Sequence, residues 1–220
     1  GCAGGLDLEI EFKKEYEDIK GDFIEVDLSG FEGGHSGMEI DKFRANAIKT
    51  LARLLHNIEG VQIADIKGGV KRNAIPTTAY GLVAVKDRDK AIEEIEERIK
   101  DVLNEYKDSD PKGKITVKKA EYDGKVLSKK VSKDILDAIF ALPDGLYKKY
   151  KDNIVTSSNL GLLENREDTI MFHSMIRSEV DSAKLNRAEI AMARVERFGG
   201  SYEITNQYSG WQREETPLID

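Results

Sequence analysis

The sequence predicts an α+β protein of two related lobes, each with an antiparallel sheet that carries helices on one face. Segments in which apolar and polar residues alternate are interspersed with segments of helical period, which indicates a mixture of strands and helices. The first half follows the order strand, helix, strand, strand, helix, strand, and the second half repeats much of that order. This order predicts two split-βαβ, ferredoxin-like lobes, on separate sheets or on one continuous sheet.

The first two strands are predicted at Leu8–Phe12 and Phe23–Leu28, where apolar residues alternate with charged ones. A period of two is expected when one face of a strand is buried. Because a short polar segment at residues 20–22 lies between them, we predict that the two strands pair as antiparallel neighbours. From Ile40 to Leu54 apolar residues recur at helical spacing, which predicts an amphipathic helix that ends near Gly60.

Three strands and a second helix complete the first lobe. Strands predicted at Val61–Ile66 and Thr78–Val85 flank a loop from Gly68 to Pro76. The spacing of apolar residues from Ile92 to Tyr106 predicts the helix. Lys114–Glu121 is a strongly charged strand, which is suited to the exposed edge of a sheet.

The second half contains the same kinds of element after a polar link near residues 123–128. The predicted elements are a short helix at Ile135–Leu142, strands at Ile154–Leu163 and Thr169–Ile176, a long helix at Asp181–Phe198 and a returning strand at Ser201–Thr205. Two glycines follow the long helix, as is common at a helix C-terminus. The two halves share the order of their elements and not their residues.

Composition excludes several classes of function. The chain has 220 residues, 40% of them hydrophobic, and a net charge of -7, which disfavours a nucleic-acid partner because phosphate binding requires a basic face. No apolar run approaches the roughly 20 residues of a membrane-spanning helix, so we predict no membrane association. The single cysteine, Cys2, cannot form an internal disulfide, which fits a cytoplasmic protein. Because the chain starts at Gly1 without methionine, we expect a removed tag or a piece of a longer chain.

The three histidines of the chain do not form a recognisable metal motif. Hydrolytic metal sites draw on His, Asp and Glu, yet no histidine here belongs to a His-x-Asp or His-x-x-x-His arrangement. His56 ends the first predicted helix, where a cap contact is favoured, and His173 lies within a predicted strand, where a structural role is favoured. We therefore predict no complete metal site in this chain.

His35 has a different setting, because it lies in a Gly-Gly-His-Ser-Gly turn at residues 33–37, between a predicted strand and the first helix. Glycines allow backbone conformations that are closed to other residues and let a ligand approach the main chain. An imidazole at such a place can donate a hydrogen bond to the negative charge that develops on a carbonyl oxygen during catalysis. From this segment alone, a plain strand-to-helix turn is an equal alternative.

Three other segments carry candidate binding side chains. Asn73 offers both a donor and an acceptor, although by itself it is better explained as a turn former. Arg177 ends an apolar strand, where its guanidinium could bind a carboxylate with two hydrogen bonds; the alternative is a surface ion pair. Thr156–Asn159, which includes Ser157 and Ser158, adds hydroxyls and an amide within a predicted strand.

Taken together, these segments resemble one known family, the metal-dependent aminopeptidases and dipeptidases that include peptidase T, carboxypeptidase G and the carnosinases. The matching stretches are, in the family's order, Gly1–Gly5, Gly33–Gly37 with Arg44–Ala47 and Leu51–Leu55, Lys71–Pro76, Thr156–Gly161, and Arg177-Ser178 with Ser182. Five motifs in register are far more specific than one glycine turn. Within the family, the resemblance is greatest to bacterial enzymes that cleave Xaa-His dipeptides such as carnosine.

The resemblance implies the lid, or dimerisation, domain of a two-domain enzyme whose catalytic domain binds two divalent metal ions, usually zinc. The family's His-x-Asp motif, its paired glutamates and its late metal-binding histidine have no counterpart in this chain. The chain alone would therefore bind no catalytic metal and hydrolyse nothing. Its partners would be a dipeptide substrate, its own catalytic domain and a second subunit in a homodimer.

The resemblance also implies roles for particular residues. His35 matches the lid histidine that reaches the scissile carbonyl, in several members at the partner subunit's site. Asn73 and Arg177 match lid residues that contact substrate, and Arg177 is assigned to the terminal carboxylate of the dipeptide. Ser158 and Asn159 are weaker candidates for the same pocket.

The same resemblance divides the chain into four parts. Residues 1–22 would form the junction with the catalytic domain and the first lid strand, 23–122 the first lobe, 123–207 the second lobe, and 208–220 the return to the catalytic domain. The alternative hypothesis is a freestanding ferredoxin-like module that oligomerises or binds a small ligand.

Overall fold

The computed structural model describes residues 1–214 and contains one large antiparallel sheet with four α-helices. Its elements are, in chain order, β1 (Gly4–Lys13), β2 (Tyr16–Glu17), β3 (Asp22–Ser29), α1 (Ala47–Leu55), β4 (Gln62–Gly68), β5 (Ala79–Val85), α2 (Arg88–Glu105), β6 (Lys114–Ala120), β7 (Val126–Leu127), α3 (Lys129–Ala141), β8 (Gly145–Tyr150), β9 (Asn153–Asn165), β10 (Thr169–Ser178), α4 (Asp181–Arg197) and β11 (Ser201–Tyr208). Residues 215–220, the end of the predicted return segment 208–220, lie outside the described residues. Within the described part, no helix is long and apolar enough to cross a membrane.

The nine-stranded sheet joins two lobes of the same architecture. Its strand order is β11-β1-β10-β9-β4-β5-β3-β6, with β8 also paired to β9, and all pairs are antiparallel. The first lobe contains β3, α1, β4, β5, α2 and β6, and the second repeats this order with β1, α3, β9, β10, α4 and β11. Strands β4 and β9 meet at the centre, where Gly68 pairs with Leu163. The predicted α+β fold is confirmed.

The larger of two hydrophobic clusters lies between the sheet and the helices. In β1 the buried side chains of Leu6, Leu8, Ile10 and Phe12 alternate with more polar ones, and they join the core that the helices cover. Helix α1 packs against α2 and α3, and α3 packs against α4, so the four helices form one layer on one face of the sheet. No helix of residues 1–214 covers the opposite face.

The predicted pairing of the first two strands is wrong. Leu8–Phe12 lies in β1, between β10 and β11, whereas Phe23–Leu28 lies in β3, between β5 and β6 of the other lobe. Alternation indicates that one face of a strand is buried, but it does not indicate which strand lies alongside. The intervening residues 14–21 pass from one lobe to the other and include β2, which pairs with β7.

The first helix is shorter than predicted. Ile40–Lys42 forms a 3₁₀ turn, Phe43 takes a left-handed conformation with φ of 53°, and α1 begins only at Ala47. Asn46 determines this start, because its side-chain oxygen accepts hydrogen bonds from two backbone N–H groups of the first turn. Of the periodic apolar residues before the break, Ile40 is buried but Phe43 is exposed, so the helical spacing there does not reflect one buried face.

Two elements of the second lobe also differ from the predictions. Helix α3 begins at Lys129 rather than Ile135, because the hydroxyl of Ser128 accepts a hydrogen bond from the N–H of Val131 and caps the helix. Strand β8 was not predicted, since Gly145–Tyr150 shows no apolar alternation and is mostly exposed. It forms only because β9 offers it a partner.

A loop between β4 and β5 crosses the helix-free face. Glu9 of β1 points to this face, because it alternates with the buried Leu8 and Ile10. The Nη2 atom of Arg72 lies 3.5 Å from Oε1 of Glu9, so the loop reaches β1. Gly69 takes a φ of +76° where the loop begins, and its Cα lies so close to the carbonyl oxygen of Gly161 in β9 that an added Cβ would overlap it.

Replacing Gly69 by alanine should destabilise the chain more than the same change at an open glycine. A left-handed conformation costs an L-residue about 1–2 kcal/mol, and the overlap with the Gly161 carbonyl should add at least about 1 kcal/mol. Gly199→Ala is the matched control, because Gly199 has φ of +84° but nothing within 4 Å of an added Cβ. Urea unfolding of both variants measures the difference. Equal losses would mean that the loop does not pack closely on β9.

Candidate functional site

The turn that contains His35 is held against the loop before β5. Two backbone hydrogen bonds join them, from the N–H of Ile75 to the carbonyl of Gly34 at 2.9 Å and from the N–H of Ser36 to the carbonyl of Asn73 at 3.0 Å. The exposed side chain of Asn73 therefore starts beside the His35 turn. Two predicted site residues from distant parts of the sequence are thus brought together by main-chain pairing.

The imidazole of His35 is held in one tautomer. Its Nδ1 accepts hydrogen bonds from the backbone N–H groups of Gly37 and Met38, each at 3.0 Å. Because a backbone N–H can only donate, Nδ1 carries the lone pair and the proton of the neutral ring is on Nε2. The ring is half-buried, and Nε2 makes no hydrogen bond within residues 1–214. Its N–H is therefore available to a ligand.

Arg177 lies beside His35, on the other side of Gly37. A methyl group added to Gly37 would be 3.2 Å from Cε1 of His35 and 3.3 Å from Cζ of Arg177. The Nε of Arg177 is buried without a hydrogen-bond partner, and no carboxylate of residues 1–214 forms an ion pair with this guanidinium. An unpaired guanidinium next to a hydrogen-bond donor is suited to a ligand that carries a carboxylate.

Ser157 and Asn159 are on the same face of the sheet as Arg177. In the β9–β10 register Ser157 is opposite Arg177 and Asn159 is opposite Met175, and directly opposed residues share a face. The Nδ2 of Asn159 donates to the carbonyl of Ala74 at 3.0 Å, while its Oδ1 is buried without a partner. Asn159 thus links the sheet to the loop that holds Asn73.

Thr156 and Ser158 are turned away from this group. Side chains alternate along a strand, so these two residues face the helices. The Thr156 and Ser178 hydroxyls are 2.9 Å apart, and the Ser158 hydroxyl donates to the carbonyl of Pro143 at 3.1 Å. The structure therefore separates Ser158 from His35 and Arg177, and its hydrogen bond explains it as part of the packing between β9 and the segment before β8.

Glu39 is a site residue that the sequence reasoning missed. Its Oε2 accepts a hydrogen bond from the backbone N–H of His35 at 2.7 Å, and this bond is the main reason why the pKa of Glu39 is lower than usual. The sequence feature that could have indicated this role is the position of an acidic residue four places after His35. Glu39 lies just before the predicted helix, and its sequence position alone does not predict a hydrogen bond back to the turn.

The other two histidines have structural surroundings. His56 follows α1 and stacks on Phe140 at 3.9 Å, with its Nδ1 3.3 Å from Oδ1 of Asp137. His173 is fully buried in β10, with its Nε2 3.8 Å from Oδ1 of Asp7. Among residues 1–214, no group of three or more His, Cys, Asp or Glu side chains could hold a metal ion. The described residues therefore do not fit a metal centre.

Two ionisable groups with altered pKa values lie on the helix side of the sheet. Burial lowers the pKa of Lys49 to about 8, and its Nζ donates to the carbonyls of Ile139, Phe140 and Leu142 at the end of α3. Burial raises the pKa of Asp144 to about 6, and its Oδ1 accepts a hydrogen bond from the N–H of Leu160. These bonds tie α1 and β9 to the end of α3, which explains both groups as structural.

Comparison with known proteins shows a similarity in the first lobe. Residues 26–111 match the family model described as "Peptidase dimerisation domain". These residues cover most of the first lobe, including the His35 turn and the loop that holds Asn73. This segment is therefore similar to peptidase dimerisation domains, which agrees with the resemblance drawn from the sequence.

Two similar proteins are dipeptidases. The chain is 29% identical over 222 residues to the cytosol non-specific dipeptidase of Escherichia coli (strain K12), and the match covers 96% of this chain and 46% of the relative. The crystal structure of aminoacylhistidine dipeptidase from Vibrio alginolyticus matches with a TM-score of 0.90 and 25% identity, over 97% of this chain and 46% of that one. The chain thus spans just under half the length of these dipeptidases.

A second solved structure is more distant. The aminobenzoyl-glutamate utilization protein of Klebsiella pneumoniae is 14% identical, with a TM-score of 0.35, over 88% of this chain and 42% of that one. This score is too low to support an argument about the site.

Proposed function

We propose that this chain is the lid of a dipeptidase and that it contributes His35 and Arg177 to the active site of the full-length protein. The observation that carries the proposal is the meeting of the two side chains across Gly37, with a free N–H on one and an unpaired guanidinium on the other. The similarity to two dipeptidases supports peptide hydrolysis as the activity. The remainder of the relatives' length is where we place the catalytic domain.

The two groups have complementary tasks in this proposal. The Nε2–H of His35 donates a hydrogen bond to the scissile carbonyl oxygen, and the bond strengthens as negative charge develops in the tetrahedral intermediate. The guanidinium of Arg177 binds the terminal carboxylate of the dipeptide and so places the peptide bond beside His35. Asn73 offers an exposed amide at the edge of the same site, and the unpartnered Oδ1 of Asn159 is a second polar contact.

We propose Xaa-His dipeptides such as carnosine as substrates, a homodimer as the assembly and the cytoplasm as the location. The Vibrio relative is named as an aminoacylhistidine dipeptidase, which supports this specificity, whereas the Escherichia coli relative is named as non-specific and cytosolic. Turnover of dipeptides that differ only in the second residue decides between narrow and broad specificity. A dimerisation domain supports the homodimer.

Catalysis in this proposal depends on two divalent metal ions, zinc by family resemblance, bound in the catalytic domain. The described residues offer no ligand set for them. We therefore expect dipeptidase activity in the full-length protein, its loss on treatment with a chelator, and its return with added zinc. The 220-residue chain should show no activity under the same conditions. Activity of this chain, or chelator-resistant activity of the full-length protein, would contradict the proposal.

A further inference from the structure

We propose that Glu39, held by Arg44, is the positioning residue that keeps the His35 imidazole oriented with its proton on Nε2. The consequence for turnover rests on the function proposed above, but the positioning itself does not. No charged group of residues 1–214 forms a hydrogen bond with the imidazole, since Gly37 and Met38 supply its two hydrogen bonds from the backbone. The orientation of the ring therefore depends on whatever holds the backbone of the turn.

Glu39 holds that backbone at both ends of residue 35. Its carboxylate Oε2 accepts from the His35 N–H at 2.7 Å, and its own N–H donates to the His35 carbonyl at 3.0 Å. Arg44 completes the arrangement, because its Nη1 donates to the Gly33 carbonyl at 2.8 Å and to Glu39 Oε1 at 3.3 Å. The Glu39–Arg44 pair thus fixes the turn just before and at the histidine.

Loss of the Glu39–Arg44 pair should change the conformation of the turn and leave the rest of the fold intact. The buried Asp110 joins the residues on either side of the turn. Its carboxylate accepts hydrogen bonds from the N–H of Glu32 at 2.9 Å and from the N–H of Ala45 at 3.0 Å. Removal of the Glu39 carboxylate leaves these bonds intact. We therefore expect the tip of the turn to relax while the strands and helices keep their packing.

Lys42 provides a matched control for the charge of Glu39. Its Nζ lies 3.8 Å from the same carboxylate, but its side chain is 53% exposed and forms no hydrogen bond with the turn backbone. The Arg44 side chain, in contrast, is only 16% exposed. If a positive charge near Glu39 were enough to hold the imidazole in one tautomer, Lys42→Ala and Arg44→Ala would have similar effects. If the hydrogen bonds of Arg44 to the turn are required, only Arg44→Ala should change the tautomer of His35.

The first test measures the tautomer of His35 in the 220-residue chain, which encloses its own hydrophobic core. The ¹⁵N chemical shifts of the labelled imidazole report which nitrogen carries the proton. We expect a single Nε2–H tautomer in the wild type and in Lys42→Ala, and a mixture of both tautomers in Glu39→Ala and Arg44→Ala. Glu39→Gln retains an acceptor for the His35 N–H and should restore most of the wild-type signal. An unchanged spectrum in both Glu39→Ala and Arg44→Ala would overturn the proposal.

The second test separates this proposal from the proposed function. In the full-length protein, Glu39→Ala should lower kcat for a dipeptide about tenfold with KM changed less than twofold, because a displaced donor is lost mainly from the transition state. Glu39→Gln should recover most of that loss. A tautomer mixture with unchanged kcat would support positioning by Glu39 and overturn the catalytic role of His35. Loss of kcat with an unchanged imidazole spectrum would overturn positioning by Glu39.

Discussion

His35→Ala in the full-length protein should lower kcat for dipeptide hydrolysis by about a hundredfold or more, which is the usual effect of removing an oxyanion donor. The reason is that Nε2–H has no partner within the described residues and is free to meet the charge that develops on the scissile carbonyl. KM should change much less, because the ground-state carbonyl accepts a weaker hydrogen bond than the oxyanion. Steady-state kinetics with one dipeptide measures both quantities.

Folding should be almost unaffected by this substitution. The His35 side chain accepts hydrogen bonds only from Gly37 and Met38 in its own turn, so its removal leaves the core intact. His56→Gln is the control histidine variant, because His56 packs on Phe140 away from the turn. Its kcat should equal that of the wild type. A kcat for His35→Ala within twofold of the wild type would remove this residue from the mechanism.

Arg177→Ala should raise KM for dipeptides with a free terminal carboxylate by roughly ten- to a hundredfold, since hydrogen bonds to charged groups contribute about 1.5–3 kcal/mol. The guanidinium has no carboxylate partner within residues 1–214, so its charge is available to a substrate. Arg177→Lys should recover only part of the loss, because a point charge replaces a planar, two-pronged donor. Initial rates over a range of dipeptide concentrations provide KM for each variant.

A blocked substrate is the control for this assignment. A dipeptide with an amidated C-terminus cannot form the charged pair, so Arg177→Ala should affect its KM little. Arg166→Ala controls for the general loss of a cation from β10 and its neighbours, because Arg166 is already paired with Glu9, Glu11 and Glu164. Equal damage by Arg177→Ala to free and amidated substrates would show that the side chain does not bind the terminal carboxylate.

The sequence determined the elements that depend on neighbouring residues. The sequence predicted α4 at Asp181–Phe198, within one residue of its observed end, and the apolar spacing of Ile92–Tyr106 predicted α2, although α2 begins four residues earlier, at Arg88. The charged strand Lys114–Glu121 was predicted at a sheet edge, and β6 is the outermost strand next to β3. The glycine-rich turn likewise indicated His35 as a candidate site residue, because glycines allow backbone conformations that are rare in other residues.

The tertiary structure alone decided which of these elements meet. It placed β1 in the second lobe, joined the His35 turn to the loop of Asn73, and brought Arg177 from a strand more than a hundred residues later to the other side of Gly37. The sequence predicted that Thr156–Asn159 lies in a strand, but only the positions of the helices showed which of its side chains face the site. Local patterns record how much of each element is buried, whereas the partners of an element are selected by packing between residues that are far apart in the chain.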